Sequence, residues 1–301
     1  MPHPLRSLLL TFDQLAPEQI TASTTTVTLS QHYRHREGWH SVTGDADLSA
    51  IQNLNLLLVT DGPTENVWPR QQPVHTSANF ACCTKQSIHE QLQNQIGSAG
   101  ERNQTLWIHV DNATSYSPKE VSDIINACRR YGAAETLFAV TAFKMVWEQA
   151  EHCFDVLAND NLMRVPAVLE HADFAGFSLQ AVTSSQDVLH TLLMHAMDSP
   201  VTQPQSAKGD SDIQDQPCDL RMLATDPGMV WPRRLSLQFQ TFRAVRSENF
   251  LYVAEMNPEI SSNTPVSEGL YAKPQDRWNA HNVCSEYIET TDTMRKQLGL
   301  D

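Results

Sequence analysis

The chain has 301 residues, of which 41% are hydrophobic and 19% are charged, so it is long enough to bury a core and is neither a membrane bundle nor a disordered polyelectrolyte. Its 35 Asp and Glu against 21 Lys and Arg give a formal net charge of -14, which argues against binding to nucleic acid or to an anionic membrane. We find no apolar run of about 18 residues and no secretion signal. We therefore expect a cytoplasmic protein.

Four apolar runs have the length of β-strands and are apolar on both faces. They are LRSLLLTF at 5–12, LNLLLVT at 54–60, TLWIHV at 105–110 and TLFAVTAF at 136–143. Strands of this kind are typical of a largely parallel sheet that is covered by helices on both sides.

Helical patterns lie between and after these runs. Ser117 and Glu120 form a capping box, and Pro118 stands at the first helical position of an apolar stripe that ends at Gly132, which predicts a helix. The spacing of apolar residues predicts a second helix over 186–197 and a last helix over about 285–298.

The composition changes after residue 200. A polar segment with several prolines predicts a linker or long loop over 201–218, between a core over 1–200 and a C-terminal subdomain over 219–301. In that subdomain LSLQFQTFRAV alternates with period two, a turn follows at 247–249, and FLYVAEM predicts the return strand of an antiparallel hairpin. The predicted fold class is α/β: a mixed, largely parallel sheet flanked by helices, with a small antiparallel α+β subdomain.

Several segments, taken in order, resemble a known family. The order LLLTFDQL, LFAVTAF, NLMRVPAVLEH and SSQDVLHTLL is similar to that of the sulfatases of the alkaline-phosphatase superfamily. AVRSENFLYV followed by GLYAKPQDRWNAHNV is similar to the C-terminal subdomain of the same family. The resemblance covers most of the chain and implies a diverged, truncated relative with the sulfatase fold.

The resemblance also implies a chemistry. Sulfatases hold a divalent cation, usually calcium, with oxygen ligands at the carboxyl ends of the strands. A Cys or Ser is converted to formylglycine, and the hydrated aldehyde attacks the sulfur of a sulfate ester. The cation and Arg, Lys and His side chains stabilise charge on the sulfuryl oxygens.

The metal and nucleophile positions of the family are altered here. Asp13 matches the first metal-binding acid, but Gln14 stands where the second acid is expected. Counting back from the Thr-Gly pair at 43–44 places Arg34 at the nucleophile position, where no aldehyde can form. A looser register places Ser30 there instead.

Lys144 and His109 are the candidate substrate-binding residues. Phe143 and Lys144 replace the Asp and His ligands of the family. Lys144 can supply the positive charge of the missing metal and pair with Asp13, or it can be a solvated lysine beyond the strand. His109 is the remaining candidate for contact with a sulfuryl group, or it is satisfied by local hydrogen bonds.

The other cysteine and histidine groups give weaker indications of a functional site. Cys82 and Cys83 are adjacent and too strained for a structural disulfide, and their role stays open. His32, His35 and His40 match no standard zinc spacing. The sequence has no Gly-rich phosphate loop.

We therefore predict a degenerate sulfatase-like protein, with most catalytic and metal residues replaced, that binds a small anionic ligand or a protein partner. No cofactor is expected, although calcium is implied if the family site survives. The alternatives are an active sulfuric or phosphoric ester hydrolase with an altered site, or an unrelated α/β enzyme that uses Cys or His chemistry.

Overall fold

The structure of the protein is a computed structural model. The described residues are 5–20, 23–33, 54–60, 80–84, 87–97, 105–111, 113–131, 135–143, 164–201, 217–226, 229, 231, 233–239, 241–257, 263–276 and 279–300.

Eight strands form a large sheet in the order β4-β3-β5-β1-β6-β7-β2-β8. Their bounds are Ser7–Phe12 (β1), Thr26–Tyr33 (β2), Leu54–Val59 (β3), Phe80–Cys83 (β4), Thr105–Val110 (β5), Leu137–Ala142 (β6), Ala167–Glu170 (β7) and Phe177–Ser184 (β8). Strand β7 is antiparallel to both of its neighbours, and the other pairings in this sheet are parallel. The predicted mixed, largely parallel sheet is confirmed.

Helices cover both faces of this sheet. The five helices of the described residues are Ile88–Gly97 (α1), Pro118–Tyr131 (α2), Ser185–Ala196 (α3), Arg221–Thr225 (α4) and Ile288–Gln297 (α5). Apolar residues on one face of the sheet pack against α3 and α4. Apolar residues on the other face pack against α1 and α2. This two-sided burial explains why the strand sequences are apolar on both faces.

Helix α2 begins as its capping box predicts. The backbone N–H of Ser117 donates to Glu120 Oε2 at 2.7 Å, and the backbone N–H of Glu120 donates to Ser117 Oγ at 3.3 Å. The reciprocal pair satisfies two amides that the first turn leaves without helical partners.

The C-terminal part contains a second sheet of four antiparallel strands in the order β12-β11-β10-β9. The strands are Arg234–Phe239 (β9), Phe242–Ser247 (β10), Phe250–Glu255 (β11) and Ser267–Ala272 (β12). The prediction of one strand over LSLQFQTFRAV is wrong: the segment forms β9 and most of β10, which pair with each other. The alternation of apolar and polar residues continues through the turn between β9 and β10, so the sequence pattern does not show where the chain reverses direction. The last helix also begins later than predicted, at Ile288.

Among the described residues, no helix has both the length and the apolar content needed to cross a membrane. The linker predicted at 201–218 lies almost entirely outside the described residues.

Candidate functional site

The carboxyl ends of the central strands meet at one edge of the large sheet. Phe12 lies beside Val110 of β5 and Ala142 of β6, so the residues that follow these strands are neighbours. Ligands of open α/β sheets bind outside this edge. We call this the carboxyl edge.

Asp13 lies at the carboxyl edge directly after β1, and its carboxylate accepts hydrogen bonds from nearby backbone amides. Its Oδ1 accepts hydrogen bonds from the backbone N–H of Gln14 at 2.7 Å and of Ala113 at 2.8 Å. The second bond holds the short 3-10 turn Ala113–Ser115, which follows β5. The acid predicted as a metal ligand therefore also fixes the loop after β5.

A second acid, which the sequence analysis did not single out, lies beside Asp13. Asp111 follows β5 as Asp13 follows β1, and the register of the two strands makes them neighbours. Thr60, after β3, donates its hydroxyl hydrogen to Asp111 Oδ2 at 3.4 Å. The signal was present in the sequence: both acids come directly after an apolar run.

His109 lies in β5, two residues before Asp111, and its side chain is buried. Its Nδ1 is 2.9 Å from Thr11 Oγ1, which also accepts a hydrogen bond from Trp107 Nε1 at 2.8 Å. The Thr11 hydroxyl also donates to the backbone carbonyl oxygen of Ile108 at 3.4 Å. Because a hydroxyl oxygen can accept two hydrogen bonds, either ring nitrogen of His109 can carry the imidazole hydrogen.

The environment of His109 keeps it neutral. Burial lowers the pKa of His109 to about 3, because desolvation disfavours the charged imidazole. Its ring stacks on Phe143, with ring centroids 4.6 Å apart and an interplanar angle of 18°. His109 can therefore present one neutral N–H donor, and it carries no positive charge near pH 7.

The other predicted site residues are less informative. Ser30 lies within β2, and its hydroxyl bonds to the Ser178 hydroxyl on the neighbouring strand β8. The Gln180 side-chain amide donates to Ser30 Oγ at 3.3 Å. Arg34 and Lys144 lie outside the described residues, so the predicted contact between Asp13 and Lys144 stays a prediction.

A separate buried polar cluster surrounds the first turn of α3. Asp187 Oδ2 accepts from the backbone N–H of Ser184 at 2.6 Å and from the Arg233 guanidinium, and its Oδ1 accepts from the backbone N–H of Cys218 at 2.9 Å. His32 lies nearby, with Nε2 3.2 Å from the Ser185 hydroxyl. These contacts join β2, α3 and the entry to β9, which is a structural role.

The described cysteines, Cys82, Cys83, Cys128, Cys218 and Cys284, are free thiols. Cys82 is exposed on β4, and burial of its sulfur raises the pKa of the thiol above its usual value. A reactive thiol needs a lowered pKa, so the described surroundings of Cys82 do not favour thiolate chemistry.

The resemblance implies a calcium site at the carboxyl edge. Calcium takes six to eight oxygen ligands, several of them carboxylates. No group of three or more His, Cys, Asp or Glu side chains within the described ranges is arranged to hold a metal ion. One oxygen of Asp13 is already bonded to two amides. Of the positions matched to the family ligands, the structure describes 13, 14 and 143, of which Asp13 is the one acid, whereas position 144 lies outside the described residues.

Comparison with solved structures identifies the fold. The structure of Ps i-CgsB in complex with k-i-k-neocarrahexaose matches with a TM-score of 0.61 and 10% identity, over 99% of this chain and 92% of that chain. BT1596, a 2-O GAG sulfatase, matches with a TM-score of 0.59 and 11% identity, over 99% of this chain and 91% of that chain. A protein of the alkaline phosphatase superfamily from Vibrio parahaemolyticus matches with a TM-score of 0.53 and 12% identity, over 96% of this chain and 88% of that chain.

In sequence, no family model and no curated protein matches the chain. The structural matches therefore establish a sulfatase-like fold, and the low identities show strong divergence.

Proposed function

From this sulfatase-like fold we propose that the chain is a degenerate relative of the sulfatases that binds a small anionic ligand at the carboxyl edge without hydrolysing it. A protein partner that presents an anionic group is the second form of the same proposal. Since fold and chemistry separate readily when site residues change, the proposal depends on the residues at this edge.

The observation that carries the proposal is the use of Asp13. At the position of the first metal-binding acid, the carboxylate holds the backbone amides of Gln14 and Ala113. The neighbouring ligand position has a neutral amide side chain, that of Gln14. An acid in this role is retained for loop structure even when no metal is bound.

Two residues would recognise the anion. His109 would contact the anion through its ring N–H as a neutral imidazole, since burial lowers its pKa to about 3. Lys144, which follows Phe143 in the sequence, would supply the positive charge. A compact ammonium suits this role because it interacts as a point charge with several oxygens.

The test uses the purified full chain with 4-nitrophenyl sulfate and 4-nitrophenyl phosphate as probes. We expect saturable binding by calorimetry and no release of nitrophenol above the buffer rate. Lys144→Met should abolish binding, whereas Lys296→Met, on helix α5 of the C-terminal part, should leave it unchanged. Binding that persists in Lys144→Met, or absence of binding in the native chain, contradicts the proposal.

A second candidate, an active sulfuric or phosphoric ester hydrolase with an altered site, is favoured by one observation. Asp111 stands beside Asp13 in register, so the carboxyl edge has two neighbouring acids despite the loss of the acid at position 14. This pair offers more negative charge than Asp13 alone, which is the one acid that this chain has at the matched family positions.

The two candidates differ in turnover. If the chain hydrolyses either probe, and Asp111→Asn reduces the rate while Asp292→Asn on the exposed side of α5 does not, the hydrolase is correct and the binding protein is wrong. Metal analysis after dialysis, made on the same samples, reports whether activity follows bound metal.

A further inference from the structure

A row of polar side chains crosses three central strands of the large sheet close to the carboxyl edge. Thr11 of β1 lies in register between His109 of β5 and Thr141 of β6. Residues in register on parallel strands project from the same face of a sheet, so the three side chains lie side by side. Each has at most 2% of its surface exposed. Polar groups buried in this way are stable only when they form hydrogen bonds.

Thr11, in the middle of this row, is bonded to two side chains of β5. Its Oγ1 lies 2.9 Å from Nδ1 of His109 and accepts a hydrogen bond from Trp107 Nε1 at 2.8 Å. The indole therefore holds the hydroxyl beside the imidazole. By contrast, Thr141 Oγ1 has no hydrogen-bond partner among the described residues.

The ring of His109 is held from a second direction by Phe143, which stacks on its face. Stacking limits the tilt of the imidazole, but it is nearly unchanged by a half-turn of the ring about the Cβ–Cγ bond. That half-turn would exchange each ring nitrogen with a ring carbon. Because the carbon cannot replace Nδ1 as a hydrogen-bond partner of Thr11, the hydroxyl decides where the two ring nitrogens lie.

We propose that Thr11 is a positioning residue, which orients His109 so that a small anion at the carboxyl edge meets a ring nitrogen and not a ring carbon. The inference rests on the proposed function, in which His109 contacts the anion. An anion accepts a hydrogen bond from the ring N–H, so in the bound form the hydrogen is on Nε2, the nitrogen turned away from Thr11. Thr11 then donates to Nδ1 in place of the carbonyl oxygen of Ile108, since a hydroxyl can take either role.

The first measurement is the binding of 4-nitrophenyl sulfate to the full chain by calorimetry. Thr11→Val removes the hydroxyl at almost constant volume and should raise Kd about tenfold, the change that the loss of one hydrogen bond can produce. Thr11→Ser keeps the hydroxyl and should retain the native affinity. Thr141→Val is the matched control, because it makes the same substitution in the same buried row, and it should also retain the native affinity.

The second measurement is NMR of the His109 ring nitrogens without ligand. Thr11→Ser and Thr141→Val should keep the pair of nitrogen chemical shifts that the native chain shows. Thr11→Val should change both shifts, because Nδ1 loses its partner. If Thr11→Val does not fold, Trp107→Phe takes its place in both measurements, since it removes the indole donor to Thr11 and should act in the same direction.

The outcomes separate this inference from the proposed function. If the native chain binds the probe and Thr11→Val binds it equally well, the positioning role is wrong and the proposed function stands. Equal weakening by Thr141→Val, or unchanged ring shifts in Thr11→Val, also overturns the positioning role. If the native chain does not bind the probe, the proposed function is wrong and the inference fails with it.

Discussion

The stability of the protein should fall steeply in mild acid because two histidines are buried in their neutral form. His32 and His109 are enclosed in the core. Burial lowers the pKa of each to about 3; at His32, Asp187 opposes this shift and Arg233 adds to it. In the unfolded chain both imidazoles return to the ordinary value of about 6.5.

The sign follows from proton binding. Below pH 6.5 the unfolded chain binds two protons that the folded chain excludes until about pH 3, so the free energy of unfolding decreases as pH falls through this interval. Each group changes it by about 1.36 kcal/mol per pH unit, which is about 2.7 kcal/mol at about pH 4.5 and about 5 kcal/mol for the pair. Typical domains have only about 5 to 15 kcal/mol in total.

The assay is urea unfolding, followed by circular dichroism, at about one-unit steps between about pH 7.5 and about pH 4.5. The native chain is compared with His109→Gln, whose side chain takes up no proton. The variant should be less stable at neutral pH, because it loses the ring contact with Phe143. Its further loss of stability in acid should be about half that of the native chain.

His190→Gln is the matched control, because it makes the same substitution at a partly exposed position of α3. The reasoning is refuted if the native chain and His109→Gln lose stability in parallel from neutral to acidic pH. Parallel curves would mean that His109 is protonated in the folded state over this range.

Three further changes test other parts of the structure. Ser117→Ala removes the cap of α2 and should cost about 1 kcal/mol in urea unfolding; an unchanged midpoint would mean that the cap contributes nothing. Asp187→Asn leaves the buried guanidinium of Arg233 without its anionic partner and should cost about 3 to 5 kcal/mol by the same measurement, so a loss below about 1 kcal/mol would contradict a buried pair. If Lys144 pairs with Asp13, the double variant Asp13→Asn, Lys144→Met should lose less stability than the two single variants summed, and strict additivity would show that they do not interact.

The sequence predicts those strands whose two faces are both buried. β1, β3, β5 and β6 form the centre of the large sheet and appear as uninterrupted apolar runs. The other strands of that sheet lack this signal. β4 and β7 have four residues each, β2 has three half-buried positions, and four of the first five positions of β8 are exposed or half-buried. Short or half-exposed strands are defined by their neighbours in space, which a local pattern does not contain.

The candidate site, like the fold, could be predicted only in part from the sequence. Asp13 was found through the family resemblance, because it matches the first metal-binding acid. Asp111 has no such match, and the signal that would have found it is its place directly after the apolar run of β5. The cluster around Asp187 was not predictable in this way, because Arg233 is 46 positions away and His32 contacts Ser185 across 153 positions. Such long-range polar contacts are set by tertiary packing and leave no periodic trace.

Under the proposed function, Asp13 illustrates how a fold can persist while its chemistry changes. The free energy of folding comes mainly from apolar burial on the two faces of the sheet, and residues beyond the strand ends contribute little to that core. A metal ligand at the edge can therefore be replaced at low structural cost unless it also holds backbone. Asp13 holds two amides, so its presence fits a role in loop structure as well as the metal-binding role that the resemblance implies. An Asn at position 13 keeps an acceptor oxygen for both amides and removes the charge, and it thereby separates the two roles.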